Sequence, residues 1–200
     1  ITELIKNKNL ITICDFAYQG LGDGVEEDAV GVRNLIKELD NLIICSSYSK
    51  NFGLYSERVG CLIYHTKNLN NYSAIQSNFK KVARTIYSNP PSHGSDIVKT
   101  ILSDDFLRKI WMENLDSAKN RIINMRKSLI SNLINENCIR SFDFIANQKG
   151  MFSFTGLTEN EVAQLKEKFS IYIVKSGRIN VAGITSSNVK YIAKAISGVI

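Results

Sequence analysis

Histidine and cysteine are scarce in this chain of 200 residues, with two of the first and four of the second. The two histidines, His65 and His93, leave no Ser/His/Asp or Cys/His set to assemble. His65 reads as an exposed strand end and His93 as a cap for the helix that follows. Cys14, Cys45, Cys61 and Cys138 show no Cys-x-x-Cys spacing. Three of them lie in apolar, strand-like runs, where cysteine packs as a small hydrophobe. They point to reduced thiols in an intracellular, cytoplasmic setting and to no metal site. An organellar location stays open. No apolar run reaches the ~18 residues of a membrane span, and no signal peptide is visible. The turn Leu21-Gly-Asp-Gly24 meets neither the Gly-x-Gly-x-x-Gly nor the Walker spacing, so it is no phosphate loop. The net charge of +6 is scattered. Its short clusters, Lys6/Lys8 and Lys80-Lys81, lack interleaved aromatics. A solvated surface or an anionic substrate accounts for it better than a nucleic acid. No internal repeat or low-complexity tract appears.

What is present is a hydrophobic content of 44%, enough for one sizeable core or one and a half domains. Asn9-Leu-Ile-Thr-Ile-Cys14 is a short apolar, β-branched run and predicts a buried strand ending at Asp15. Asp23 and Glu26 are spaced as a capping box. Val25, Ala29, Val32, Ile36 and Leu39 then recur at helical spacing, before a second apolar run, Asn41-Leu-Ile-Ile-Cys45. Strand, helix, strand is a βαβ unit and implies a parallel pair. Arg58 to Tyr64 predicts a third strand, and 67–87 a helix that the two prolines of Tyr87-Ser-Asn-Pro-Pro-Ser-His-Gly94 terminate. Ile97, Val98, Ile101 and Leu102 give the next helix its apolar side. Over 104–136, Leu107, Trp111, Leu115, Ala118, Ile122, Met125, Leu129 and Leu133 step by three or four with no Pro or Gly between. Such a helix is about 48 Å long at 1.5 Å per residue, more than one small domain needs, so it bridges two. The remainder reads as a small α+β unit. It has strands at 151–155 and 171–174, helices at 158–169 and 186–199, and a loop holding Gly177-Arg178-Ile179-Asn180. The expected division is 1–116 and 117–200.

The second run ends in Ser46-Ser-Tyr-Ser-Lys50. A lysine at the mouth of a buried strand is readily desolvated. Desolvation disfavours the ammonium form, and the neutral amine can attack a carbonyl. Asp15 at the end of the neighbouring strand, with Arg58 and Arg178 in turn-like settings, fits in outline an imine-forming lysine with an acid and cations nearby. Spacing alone leaves a pyridoxal phosphate site and an aldolase lysine as alternatives.

The longer motifs separate them. These are Asp15-Phe-Ala-Tyr-Gln-Gly20, Ser46-Ser-Tyr-Ser-Lys-Asn-Phe-Gly-Leu-Tyr-Ser-Glu-Arg-Val-Gly60, Tyr87 to Gly94, Gly150-Met-Phe-Ser-Phe154 and Ser176-Gly-Arg-Ile-Asn-Val-Ala-Gly183. In this order they resemble the aspartate aminotransferases, class I enzymes of the fold-type I pyridoxal phosphate group. The resemblance implies an α/β fold. It would be the C-terminal part of the large cofactor-binding domain, a mostly parallel sheet with three strands present, joined by the long helix to a small α+β C-terminal domain. It implies pyridoxal 5'-phosphate as cofactor and transamination between L-aspartate and 2-oxoglutarate, with dicarboxylic amino acids and 2-oxo acids as substrates, in a homodimer.

The resemblance also assigns roles. Lys50 forms the internal Schiff base and then shuttles the substrate proton. Asp15, as a buried carboxylate, pairs with the pyridine nitrogen. Tyr18 donates a hydrogen bond to the cofactor's 3-oxygen. Ser47 and Arg58 hold the phosphate, and Arg178 clamps the substrate α-carboxylate. Arg84 reaches across the dimer to a distal carboxylate, and Phe152 lines the pocket.

The resemblance covers only the C-terminal half of the family's chain. Ile1 is not a start methionine, and the chain reads as a fragment or processed product. On its own it would expose a sheet edge and apolar surface. Two other readings remain, an aromatic amino acid aminotransferase of the same class and a non-catalytic fragment without a complete active site.

Overall fold

The computed structural model describes residues 1–200. The chain folds into two compact units, Ile1–Gln19 with Val25–Glu113, and Gly20–Gly24 with Asn114–Ile200. The first is built on a three-stranded sheet of order β1-β2-β3, with β1 Ile13–Phe16, β2 Asn41–Ser47 and β3 Gly60–Thr66. β1 and β2 are parallel, with Asp15 opposite Cys45, and the helix α2 (Val30–Glu38) makes the crossover that a parallel pair requires. β3 runs antiparallel to β2, from Asn41 opposite Thr66 to Ser47 opposite Gly60. One parallel and one antiparallel pair make this three-stranded part of the sheet mixed.

β2 is the central strand and carries the core. Leu42 is 1% and Ile44 4% exposed, and with Leu39 they pack against Val32, Leu35, Ile36, Cys14 and Phe16. Burying one such leucine stabilises by about 2 kcal/mol. The chain opens with a helix that the sequence reading lacks, α1 (Thr2–Lys8). It buries no residue fully, but Ile5 packs against the same core. The first strand is displaced accordingly. It begins at Ile13 rather than Asn9, and Ile11 and Ile13 are 88% and 63% exposed. β1 is an edge strand, and side chains on a strand alternate between its two faces. Only Cys14 and Phe16 meet the core.

The capping box at Asp23 and Glu26 is not formed. Asp23 gives its carboxylate to Lys149 at 2.6 Å, Glu26 pairs with Arg33, and α2 starts at Val30. His65 lies within β3, not beyond it, with Nε2 buried and unpaired. A 3-10 turn at Leu69–Asn71 precedes α3 (Tyr72–Tyr87), so the helix starts five residues later than expected. His93 opens α4 (His93–Ser103) as its first residue. The N-cap is Ser92, and no side chain caps it. The long helix is α5 (Asp105–Asn135), of 31 residues, and the division between the units falls within it, between Glu113 and Asn114.

In the second unit, β4 (Phe152–Phe154) pairs antiparallel with β5 (Arg178–Asn180). The expected strand at 171–174 is absent. That stretch leaves α6 (Glu159–Phe169) through an Ile171 N–H to Leu165 carbonyl bond and turns back through Gly177 N–H to Val174. Ladder pairing goes instead to the residues read as a loop. Leu129, Leu133, Ile145, Leu165, Val181 and Ala193 are at most 2% exposed, and α7 (Val189–Ser197) contributes the last of them. No helix of the chain is long and apolar enough to cross a membrane.

Candidate active site

The parallel pair β1–β2 ends in two adjacent loops, and the loops bring two of the expected residues together. β2 stops at Ser47, and Tyr48 to Phe52 form a tight turn, with the Phe52 N–H bonded to the Tyr48 carbonyl. Lys50 sits in this turn, half-buried, with Nζ 4.7 Å from the centre of the Tyr18 ring in the loop after β1. The C-terminal ends of parallel strands are where open α/β sheets bind ligands. Asp15 lies beside this pair at the second-last position of β1, level with Cys45. Its carboxylate is exposed, not buried as the resemblance implies. β1 is an edge strand, and nothing in the first unit covers that face of it at Asp15. Cys14 beside it has a thiol pushed up in pKa, by burial first and by the neighbouring Asp15 and Cys45 next.

Ser47 is half-buried, and its Oγ accepts from the Ser49 N–H at 3.2 Å. Arg58 lies in the turn before β3 at a φ of 51°, and its guanidinium is exposed and donates to the Tyr55 carbonyl at 2.9 Å. A left-handed arginine is a strained position of the kind found at ligand sites. Arg84 is exposed in the last turn of α3. The second unit holds the other two. Arg178 opens β5, and its guanidinium lies over the Phe152 ring at 4.8 Å, a cation–π contact between diagonal neighbours of the two strands.

Three residues that the sequence reading leaves without a role hold the lysine loop. Asn51 is 9% exposed. Its side-chain amide donates to the Gln19 carbonyl at 3.2 Å, and its own carbonyl accepts from Trp111 Nε1 at 2.8 Å. Gln19 in turn donates to the Val25 carbonyl at 2.8 Å. The Trp111 ring stacks on Phe52 at 4.6 Å, and Phe52 meets Tyr48 edge-on at 5.4 Å. Lys50 thus has a pinned residue at 51, and Tyr18 precedes a pinned residue at 19. Asn51 Oδ1 is buried with no donor among the chain's own groups. A tryptophan at a helical core position needs a partner for its indole N–H, and that requirement was the available signal.

A family model described as aminotransferase class I and II matches residues 1–196. The chain belongs to this family. Among the relatives of this aminotransferase chain, the aspartate aminotransferase of Salmonella typhi is 45% identical over 200 residues. That match takes in 100% of this chain and 50% of the relative. The structure of the aspartate aminotransferase from Saccharomyces cerevisiae cytoplasm superposes with a TM-score of 0.96 at 39% identity, over 100% of this chain and 50% of that one. The aromatic-amino-acid aminotransferase from Burkholderia pseudomallei, crystallised covalently bound to pyridoxal phosphate, gives a TM-score of 0.95 at 41% identity. It covers 99% of this chain and 50% of that one. The chain therefore spans about half the length of the relatives it matches. Its α/β architecture, with a mixed sheet and helices, is that of a partial aminotransferase fold.

Proposed function

We propose that this chain is the lysine-bearing half of a pyridoxal phosphate-dependent aminotransferase that moves an amino group between L-aspartate and 2-oxoglutarate. The observation that carries the reading is the Lys50 amine held 4.7 Å over the Tyr18 ring at the ends of two parallel strands. The residues present suit the cofactor chemically. Lys50, Asp15, Tyr18, Ser47 and Arg58, from segments 15–18 and 47–58, offer an amine, a carboxylate, a phenol, a hydroxyl and a guanidinium, which together complement an anionic pyridine aldehyde. When bound, pyridoxal phosphate supplies a carbonyl carbon for an amine and a protonated ring that draws electrons from the substrate Cα.

The chain's own groups do the rest. Lys50 Nζ would hold the cofactor at its carbonyl carbon and, as a free amine, would move the proton at the substrate Cα. The neutral amine is the nucleophilic form, and the hydrogen bonds of Asn51 with the Phe52–Trp111 stack hold the turn that carries it. Asp15 accepts the pyridine N–H and holds that proton in place. Its exposure means that the carboxylate needs cover from residues outside this chain to do so fully. Tyr18 donates its hydroxyl to the 3-oxygen, and Ser47 and Arg58 bind the phosphate. Arg178 binds the α-carboxylate through its planar fork while Phe152 walls the pocket. Arg84 serves a distal carboxylate across a homodimer. Residues 1–116 belong to the large domain of the complete enzyme and 117–200 to the small one.

The test is a rate comparison on the complete enzyme with its cofactor. Aspartate is expected to turn over at least about tenfold more efficiently than phenylalanine, as kcat/KM. The reverse order assigns the chain to aromatic substrates. Absence of any amino transfer overturns the reading.

A further inference from the structure

Arg126 stands on α5 with 3% of its surface exposed, a guanidinium taken out of water with neutral oxygens as partners. Its Nε donates to Ser153 Oγ at 3.1 Å, and its Nη2 donates to the Gly150 carbonyl. Burial pulls its pKa below the ordinary guanidinium value. A buried cation without a carboxylate is strongly unfavourable on its own account. Its two anchors bracket Phe152, one residue beyond Phe152 and two before it. β4 and β5 have three residues each, with Ser153 opposite Ile179 and Phe154 opposite Arg178. Side chains alternate along a strand. Ser153 and Ile179, 2% and 7% exposed, therefore share the inner face. Phe152 and Arg178 share the other face, in contact at 4.8 Å. So short a ladder has little of its own to fix an aromatic ring. The fork of Arg126 supplies two fixed points, where a lysine supplies one.

We infer that Arg126 is a positioning residue for the carboxylate clamp: it ties the head of β4 to α5, so fixing the Phe152 ring and, through it, the guanidinium of Arg178. This rests on the reading of Arg178 as the group that binds the substrate α-carboxylate. Arg126 itself touches no substrate.

The test uses the complete enzyme with its cofactor bound, and two probes followed by cofactor absorbance. Succinate needs the clamp. Methylamine reacts with the cofactor and carries no carboxylate. Arg126→Lys and Ser153→Ala are each expected to weaken succinate by about tenfold and methylamine by less than about twofold, with KM for aspartate rising more than kcat falls. Leu129→Ala, a core truncation on the same helix at a residue 0% exposed, is expected to lower the melting temperature and leave the succinate affinity unchanged. Succinate affinity within about twofold of the parent in both Arg126→Lys and Ser153→Ala overturns the inference, as does an equal loss in Leu129→Ala. If Arg126→Lys does not fold, Ser153→Ala alone decides. If the parent's succinate affinity is unchanged by Arg178→Ala, the reading of the clamp falls, and the inference with it.

Discussion

Lys50 joins three kinds of constraint at one residue. The strand end delivers it, the Tyr18 ring faces it, and the hydrogen bonds of Asn51 to Gln19 and Trp111 hold the turn that carries it. Lys50→Ala in the complete enzyme is expected to abolish turnover while cofactor stays bound noncovalently, seen as loss of the imine absorbance on retained protein-bound cofactor. A kcat within about tenfold of the parent refutes the role. Trp111→Phe keeps the ring stack on Phe52 and deletes only the indole donor. It is expected to cost about 1 kcal/mol in urea unfolding, because the Asn51 carbonyl then loses its partner. No change in the urea midpoint shows that water replaces the indole there.

Among the elements, α6 begins with a complete capping box. Thr158 caps it, accepting from the Glu161 N–H at 3.3 Å, and the Glu161 carboxylate returns to the Thr158 N–H at 2.7 Å. Glu161 also takes both arms of Arg140, at 2.7 and 3.2 Å. The Arg140 hydrogen bond first, and the Thr158 contacts after it, hold its carboxyl below the ordinary carboxylate range, against the opposing effect of burial. A lowered carboxyl pKa adds stability that is complete above the unfolded value and lost as pH falls through the folded one. The side chain of Arg140 is 37% exposed. Solvent therefore screens the pair, and Glu161→Gln is expected to cost about 1–2 kcal/mol at neutral pH. The gap between parent and variant should close as pH drops below about 4. A gap that does not change with pH means that the carboxylate charge is not what stabilises the helix start. At the other strand of this unit, Gly177 precedes Arg178 at a φ of 76°, and a Cβ there would meet the Leu157 carbonyl and Thr155 Oγ1 at 3.0 Å. Gly177→Ala is expected to destabilise by about 1–3 kcal/mol and to weaken carboxylate binding with it.

At the scale of the molecule, the surface of the first unit is informative. β3 has one strand neighbour only, and Leu62 and Ile63 on it are 53% and 47% exposed. Between β3 and α3 lies a groove of about 550 Å³ whose walls include Tyr72, Val82, Ile86 and Tyr87, each more than half exposed. An open strand edge beside an apolar groove promotes association. The isolated chain of 200 residues is expected to sediment as concentration-dependent oligomers. Val82→Lys with Ile86→Lys should shift it toward monomer. A monodisperse monomer at high concentration refutes this reading of the surface.

What the sequence determined by itself is whatever depends on local order. The 3.6-residue periodicity of α5 placed that helix within a residue at each end. The apolar run before Cys45 located β2, and the prolines after Tyr87 ended α3. Motif resemblance picked out Lys50, Tyr18, Phe152 and Arg178, and the fold brings them together two by two. Tertiary structure decided what depends on partners distant in the chain. Residues 171–174 have the β-branched look of a strand, but β4 pairs with 178–180 instead, because a strand exists only where a neighbour accepts its ladder. Ile11 and Ile13 look buried, yet face outward from an edge. Asp15 is exposed because burial belongs to what lies over a strand, not to the strand. In the sequence Arg126 is one cation among several on α5. Only the approach of Gly150 and Ser153, more than twenty residues away, turned it into a fixed strut beneath Phe152.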